Sequence, residues 1–179
     1  MLKAEEIMKS IAKSHEDFLA TNDRLYESVS DLHYGGKCSF EKSLRDIDAI
    51  LKYFRGILGG HIQEEEKVIF PFLNRHIPKL EPVLNFLRGD HKEFQESLIS
   101  VDVLLKKLRQ EKNGIRRRAI TEKLWEKGIY LYCLIRNHIK AEDENVYKAI
   151  QCQLHRDERR RLAEELNRRK FLKKERGRS

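Results

Sequence analysis

The chain has 179 residues, of which 40% are apolar and 37% charged; that is enough for one soluble globular domain with a real core beneath a heavily charged surface. Nine glycines and three prolines are too few for the many turns of an all-β fold. The net charge of +8 is concentrated at one end: residues 151–179 hold 11 Lys and Arg against 5 Asp and Glu, whereas residues 1–150 hold 26 against 24, so the body has no electrostatic reason to take nucleic acid as its main partner.

The N-terminal stretch MLKAEEIMKSIAK lacks the apolar run of a signal peptide. No apolar run approaches the roughly 18 residues that span a bilayer. Cys38, Cys133 and Cys152 are odd in number and have no CxxC spacing. They fit a reducing cytoplasm better than a disulfide framework or a zinc–thiolate site.

The first predicted helix covers roughly residues 3–32, with a stripe of Ile7, Ile11, His15, Phe18, Tyr26 and Val29 at helical spacing. It ends at the breaker cluster Tyr34-Gly35-Gly36-Lys37. Ser39 is placed to N-cap the second helix, without a capping box because Lys42 stands at the reciprocal position. The second stripe alternates steps of four and three: Phe40, Leu44, Ile47, Leu51, Phe54, Leu58, His61, Glu65, Val68, Phe72. That is the seam of a left-handed bundle. Pro71 and Pro78 are expected to break or end it.

The third stripe is Leu84, Leu87, His91, Phe94, Leu98, Val101, Leu105 and Leu108, with Pro82 suited to a first helical turn. Asn113-Gly114 marks a turn. The fourth stripe is Leu124, Gly128, Leu131, Ile135, His138, Glu142, Asn145 and Ala149. Cys133 falls off this stripe and reads as a packed small residue. Four long helices joined by loops of roughly 6–10 residues predict an all-α, up-down-up-down four-helix bundle over residues 1–150. Residues 151–179 form a basic tail. There, Glu164–Arg168 and Glu165–Arg169 are spaced for i,i+4 pairs, so the tail reads as a solvated helix or a docking site for a partner.

An internal repeat selects the polar residues on these stripes. Ser14-His15-Glu16-Asp17-Phe18 matches Asp90-His91-Lys92-Glu93-Phe94 at an offset of 76. His61-Ile62-Gln63-Glu64-Glu65-Glu66 matches His138-Ile139-Lys140-Ala141-Glu142-Asp143 at an offset of 77. Two such helical hairpins would bring four histidines and two glutamates to one level of the core. A buried carboxylate costs several kcal/mol unless compensated, and no Lys or Arg lies on the inward stripes near this level. A cation is the simplest compensation. A lone histidine on an apolar seam is more often a hydrogen-bonded core residue; six polar residues in one register, in two copies, do not fit that reading. Four imidazoles and two carboxylates exceed one tetrahedral zinc and suit two first-row metals, iron first and manganese second.

His15, His61-x-x-x-Glu65, His91 and His138-x-x-x-Glu142 resemble the ligand set of the hemerythrin-like (HHE cation-binding) domains, over about residues 5–150. Phe70-Pro71 after Glu65 resembles the family's usual continuation. The resemblance implies a non-haem, oxo- or hydroxo-bridged di-iron centre. Glu65 and Glu142 would bridge, His15 and His61 would bind one metal, and His91 and His138 the other. It also implies binding or sensing of O2, NO or peroxide, or iron sensing, or repair of iron–sulfur centres. Oxygen carriers of the family have a fifth histidine where this chain has Gln95, so here a metal keeps more open positions, which favours reactivity or sensing over oxygen carriage. The four-His, two-Glu set is similar to that of the iron-centre repair proteins, which carry a further cysteine-bearing module before the bundle; only 14 residues precede His15. The competing reading, a metal-free helical interaction protein, leaves six core polar residues unexplained.

Overall fold

A computed structural model describes residues 4–35 and 39–176. The expectations for the side chains of Ile7 and Phe171, and for Gly36, Lys37 and Cys38, lie outside the described residues. Among those described, the chain forms helices and no strand.

Helix α1 spans Ala4–Tyr34. Helix α2 covers residues 40–76 and changes pitch along its length. It is α-helical at Phe40–Tyr53, Gly59–Glu64 and Phe70–His76, and π-helical at Phe54–Leu58 and Glu65–Ile69. A 3-10 turn at Pro78–Leu80 leads into α3, Glu81–Gln110. Helix α4 covers residues 114–152: α-helical over Gly114–Ala141, π-helical over Glu142–Tyr147 and α-helical again over Lys148–Cys152. Helix α5 spans Arg156–Arg176. No helix is long and apolar enough to cross a membrane.

Local chemistry sets the helix ends. Gly35, at φ +68°, ends α1 in the left-handed conformation that costs glycine least. Ser39 Oγ accepts from the Lys42 amide at 3.3 Å, and Asn113 Oδ1 accepts from the Arg116 amide at 3.1 Å, so each satisfies an otherwise orphaned first-turn donor. Pro82 sits in the first turn of α3, where no N–H is needed. Because the helices run up to their caps, the connections (residues 35–39, 77–80, 111–113 and 153–155) are shorter than the loops of 6–10 residues expected.

Helix α1 packs against α2 and α4, and α3 packs against the same two. Two apolar clusters fill the interior. One gathers Phe18, Leu25, Leu51, Phe94, Val101 and Leu131; the other gathers Ile69, Phe72, Leu84, Leu87, Val146 and Ile150. On α1 and α3 the histidine of the stripe falls between residues of the two clusters, and on α2 and α4 it lies at the end of the first cluster, before Val68 and Val146 of the second.

The observed core departs from the expected stripes at identifiable places. On α1 the buried face runs His15, Phe18, Asn22, Leu25, Val29, while Tyr26 is exposed. Asn22 is polar yet wholly buried, because its Nδ2 donates to the Tyr132 carbonyl at 2.8 Å. Pro71 does not end α2; the helix continues through it to His76. The π turn immediately before it is wider than an α turn, which relieves the clash and the missing hydrogen bond that a proline brings to a regular helix. On α4 the π turn adds a residue, so Val146 and Tyr147 are buried where Asn145 was expected, and Asn145 is half-buried. Cys133 is exposed rather than packed.

The basic segment is helical, but solvent does not surround it. Leu162, Ala163 and Leu166 of α5 are buried in the second apolar cluster, against α1 and the π turn that begins at Glu65. Glu165 faces Arg75 of α2 at 3.6 Å, and Arg159 donates to the Gln151 carbonyl at 2.6 Å.

Candidate metal centre

All six residues singled out by the repeat meet in the layer between the two apolar clusters. They form two overlapping groups, His15, His61, Glu65 and Glu142, and Glu65, His91, His138 and Glu142, each with its donor atoms within 4.8 Å of one another. Both glutamates belong to both groups. Each glutamate opens a π-helical turn, at Glu65–Ile69 and Glu142–Tyr147; such turns recur at functional positions because they re-aim a side chain without breaking the helix.

The ring nitrogens are sorted. The Nε2 atoms of His15 and His61 lie 3.2 Å apart, as do those of His91 and His138. His61 Nε2 lies 2.7 Å from Glu65 Oε1, and His91 Nε2 lies 3.4 Å from Glu65 Oε2. Glu142 Oε2 is 3.4 Å from His15 Nε2 and 3.6 Å from His138 Nε2. On the outer side, His15 Nδ1 meets Asp143 at 2.9 Å, His91 Nδ1 meets Glu66 at 2.8 Å and His138 Nδ1 meets Asp90 at 3.1 Å. A carboxylate that accepts from Nδ1 fixes the proton there, and leaves Nε2 with a lone pair facing inward.

Each imidazole also has an aromatic neighbour at 4.9–5.8 Å between ring centres: Tyr147 for His15, Phe18 for His61, Phe70 for His91 and Phe94 for His138. These obey the repeat, with Phe18 equivalent to Phe94 and Phe70 to Tyr147. Tyr147 was not singled out from sequence, although its pairing with Phe70 could have exposed it. Its hydroxyl donates to Glu65 Oε1 at 3.0 Å. The supporting acids Glu66, Asp90 and Asp143 gave no apolar-stripe signal, because they stand one position beside a ligand candidate rather than on the seam.

The electrostatics show what the layer lacks. Burial opposes the charge on Glu65, yet the neighbouring His61 and His91 outweigh it and hold this carboxyl well below its usual range. Burial, then repulsion from Glu65, pushes Glu142 well above its own. Burial lowers His15 and His138, against the pull of Asp143 and Asp90. His91 is raised because Glu65 and Glu66 together overcome its burial. Burial and the two glutamates push the Tyr147 phenol up, so it remains a donor.

Glu142 is wholly buried, and neither of its oxygens has a hydrogen-bond partner; Glu65 Oε2 has none either. Among the described residues no Lys or Arg forms an ion pair with either carboxylate. Buried carboxylate oxygens without hydrogen-bond partners, beside the Nε2 atoms of four imidazoles, fit hard-to-borderline metal cations.

No curated protein matches the chain. The family model of the hemerythrin HHE cation-binding domain matches residues 7–150, a span that includes all six residues of this layer. The chain belongs to the hemerythrin HHE cation-binding family.

Proposed function

We propose that this chain is a di-iron protein that binds or senses a small oxidant or diatomic ligand, O2, NO or peroxide. The observation that carries the proposal is a pair of buried carboxylates, shared by two imidazole pairs, in which both oxygens of Glu142 and Oε2 of Glu65 have no hydrogen-bond partner. In this reading the four long helices form an up-down-up-down bundle, an arrangement supported by their short connections and neighbour pairing. Glu65 and Glu142 would be shared by the two ions, His15 and His61 would hold one, and His91 and His138 the other. Iron is preferred over manganese for an imidazole-rich set.

When bound, two iron ions supply the electrons and open coordination positions for a small ligand. The residues of the chain do the rest. Asp143, Glu66 and Asp90 keep His15, His91 and His138 in the Nε2-donating tautomer. Phe18, Phe70 and Phe94 exclude bulk water from the layer. Tyr147 holds Glu65 by one oxygen through its neutral phenol.

The protein purified from iron-replete cells is expected to contain near two irons per chain. Its visible spectrum is expected to change on exposure to oxygen, azide or nitric oxide. Iron content unaltered in the Glu65→Ala, Glu142→Ala double variant would overturn the proposal.

A second reading, an iron-sensing or regulatory module, including a role in repair of iron centres, draws on α5. That helix buries Leu162 and Leu166 in the same cluster as Val146 and Tyr147, just beyond Glu142. Metal occupancy would then be felt at the basic helix. Chelation should speed proteolysis within residues 156–176; equal cleavage with and without metal would exclude this switch.

A further inference from the structure

The two halves of the layer obey the repeat at the ligand candidates and their aromatic neighbours, but not on the outer faces of the helices that carry them. In α4, Arg136 and Asn137 precede His138; the equivalent residues of α2 are Gly59 and Gly60, before His61. Arg136 is held across its face by Asp23 of α1 at 2.9 Å and lies over the Tyr132 ring. At Gly59 and Gly60 an added Cβ would meet nothing within 4 Å. Adjacent glycines inside a helix carry a conformational cost, and neither glycine here is needed for a left-handed backbone or a close helix contact.

His61 is the least enclosed of the four imidazoles, with 12% of its side chain exposed against 5% or less for the others. Behind it, at 4.0 Å from His61 Nε2, lies Oε2 of Glu142, buried and without a hydrogen-bond partner. A single ring, that of His61, therefore stands between this partly exposed edge and an unpartnered carboxyl oxygen of the centre.

We infer that small solutes reach the centre over Gly59 and Gly60, past His61, and that the equivalent face of α4 is closed. The inference rests on the di-iron reading for what the solute meets, but not for the route itself. The route admits a diatomic molecule, peroxide or azide, and it makes the His15–His61 half of the centre the half that an incoming molecule meets first.

Gly60→Leu tests the route, with Asn137→Leu as the control that adds bulk to the equivalent position. Leucine has the better helix propensity and the space is open, so Gly60→Leu is expected to melt no lower than the parent. In the metal-free full-length chain, diethyl pyrocarbonate followed by peptide mass spectrometry should modify His61 before His15, His91 and His138. Gly60→Leu should slow that modification at least tenfold, and Asn137→Leu should leave it unchanged. In iron-loaded protein, azide association and dissociation should slow together in Gly60→Leu, with the iron content, the spectrum of the azide complex and its Kd preserved. Modification of His61 at parental rate in Gly60→Leu, or equal slowing in Asn137→Leu, would overturn the route. Absence of iron from the parent would instead overturn the di-iron reading, and the labelling result would still decide the route.

Discussion

At Glu142 two requirements on one carboxylate conflict. As a metal ligand it should be ionised; as a buried group beside Glu65, with no donor in reach, it is driven toward the protonated form. Its folded-state pKa lies above the unfolded value, so its contribution to stability is present below about pH 4.3 and is lost as pH rises toward the folded value. Replacing it with glutamine should therefore do two opposite things. The metal-free Glu142→Gln chain should match the parent near pH 4 and exceed it by about 1–3 kcal/mol near neutral pH, measured by urea denaturation in the presence of chelator. The same variant should lose bound metal by elemental analysis. A parent that is the more stable of the two without metal at pH 7 would show that Glu142 is satisfied by something other than a cation. The six seam residues were legible because burial of a histidine or glutamate violates the expected pattern. Tyr147, Asp90 and Asp143 were not, because a tyrosine in a core and an acid at a helix surface violate nothing.

Among the elements, α1 and α4 pack tightly at one glycine. A Cβ on Gly128 would stand 2.8 Å from Cγ1 of Val29, a side chain that is itself buried and branched at Cβ. With no rotamer to yield, Gly128→Ala should destabilise the protein by about 1–3 kcal/mol, read as a lower urea midpoint. This would reverse the usual gain in helix propensity from glycine to alanine. An unchanged or higher midpoint would mean that the two helices can separate freely. Gly128 lay on the expected stripe, yet its reason for being small could be seen only across the interface. The π turns were likewise beyond the reach of a period of 3.6. They explain why α2 runs through Pro71 and why the stripe of α4 passes to Val146, since each inserts a residue where the regular spacing was being counted.

For the molecule as a whole, the boundary drawn near residue 150 from charge alone divides less than composition suggests. The four stripes gave the four long helices almost to their caps, but α5 looked like a solvated arm because so few apolar residues are spread among its charges. Packing concentrates them: Leu162, Ala163 and Leu166 face one cluster, while Arg160, Arg161 and Arg168 are exposed. Leu166→Ala should cost about 2–5 kcal/mol if α5 unfolds together with the rest. It should cost little global stability, but expose residues 156–176 to protease, if α5 detaches as its own unit. Denaturation and limited proteolysis of the one variant separate these outcomes, and leucine removal without either effect would refute the packing of α5.

The sharing of both glutamates between the two donor groups carries a consequence for how the chain is made. The first hairpin supplies His15, His61 and Glu65, and the second supplies His91, His138 and Glu142, so each four-residue group borrows one carboxylate from the other half. During synthesis no complete group exists until residue 142 has left the ribosome. By then the first three long helices and α4 as far as Glu142 have emerged. On the di-iron reading, a nascent chain would therefore offer a metal ion only three of the four donors of either group until the second hairpin closes on the first.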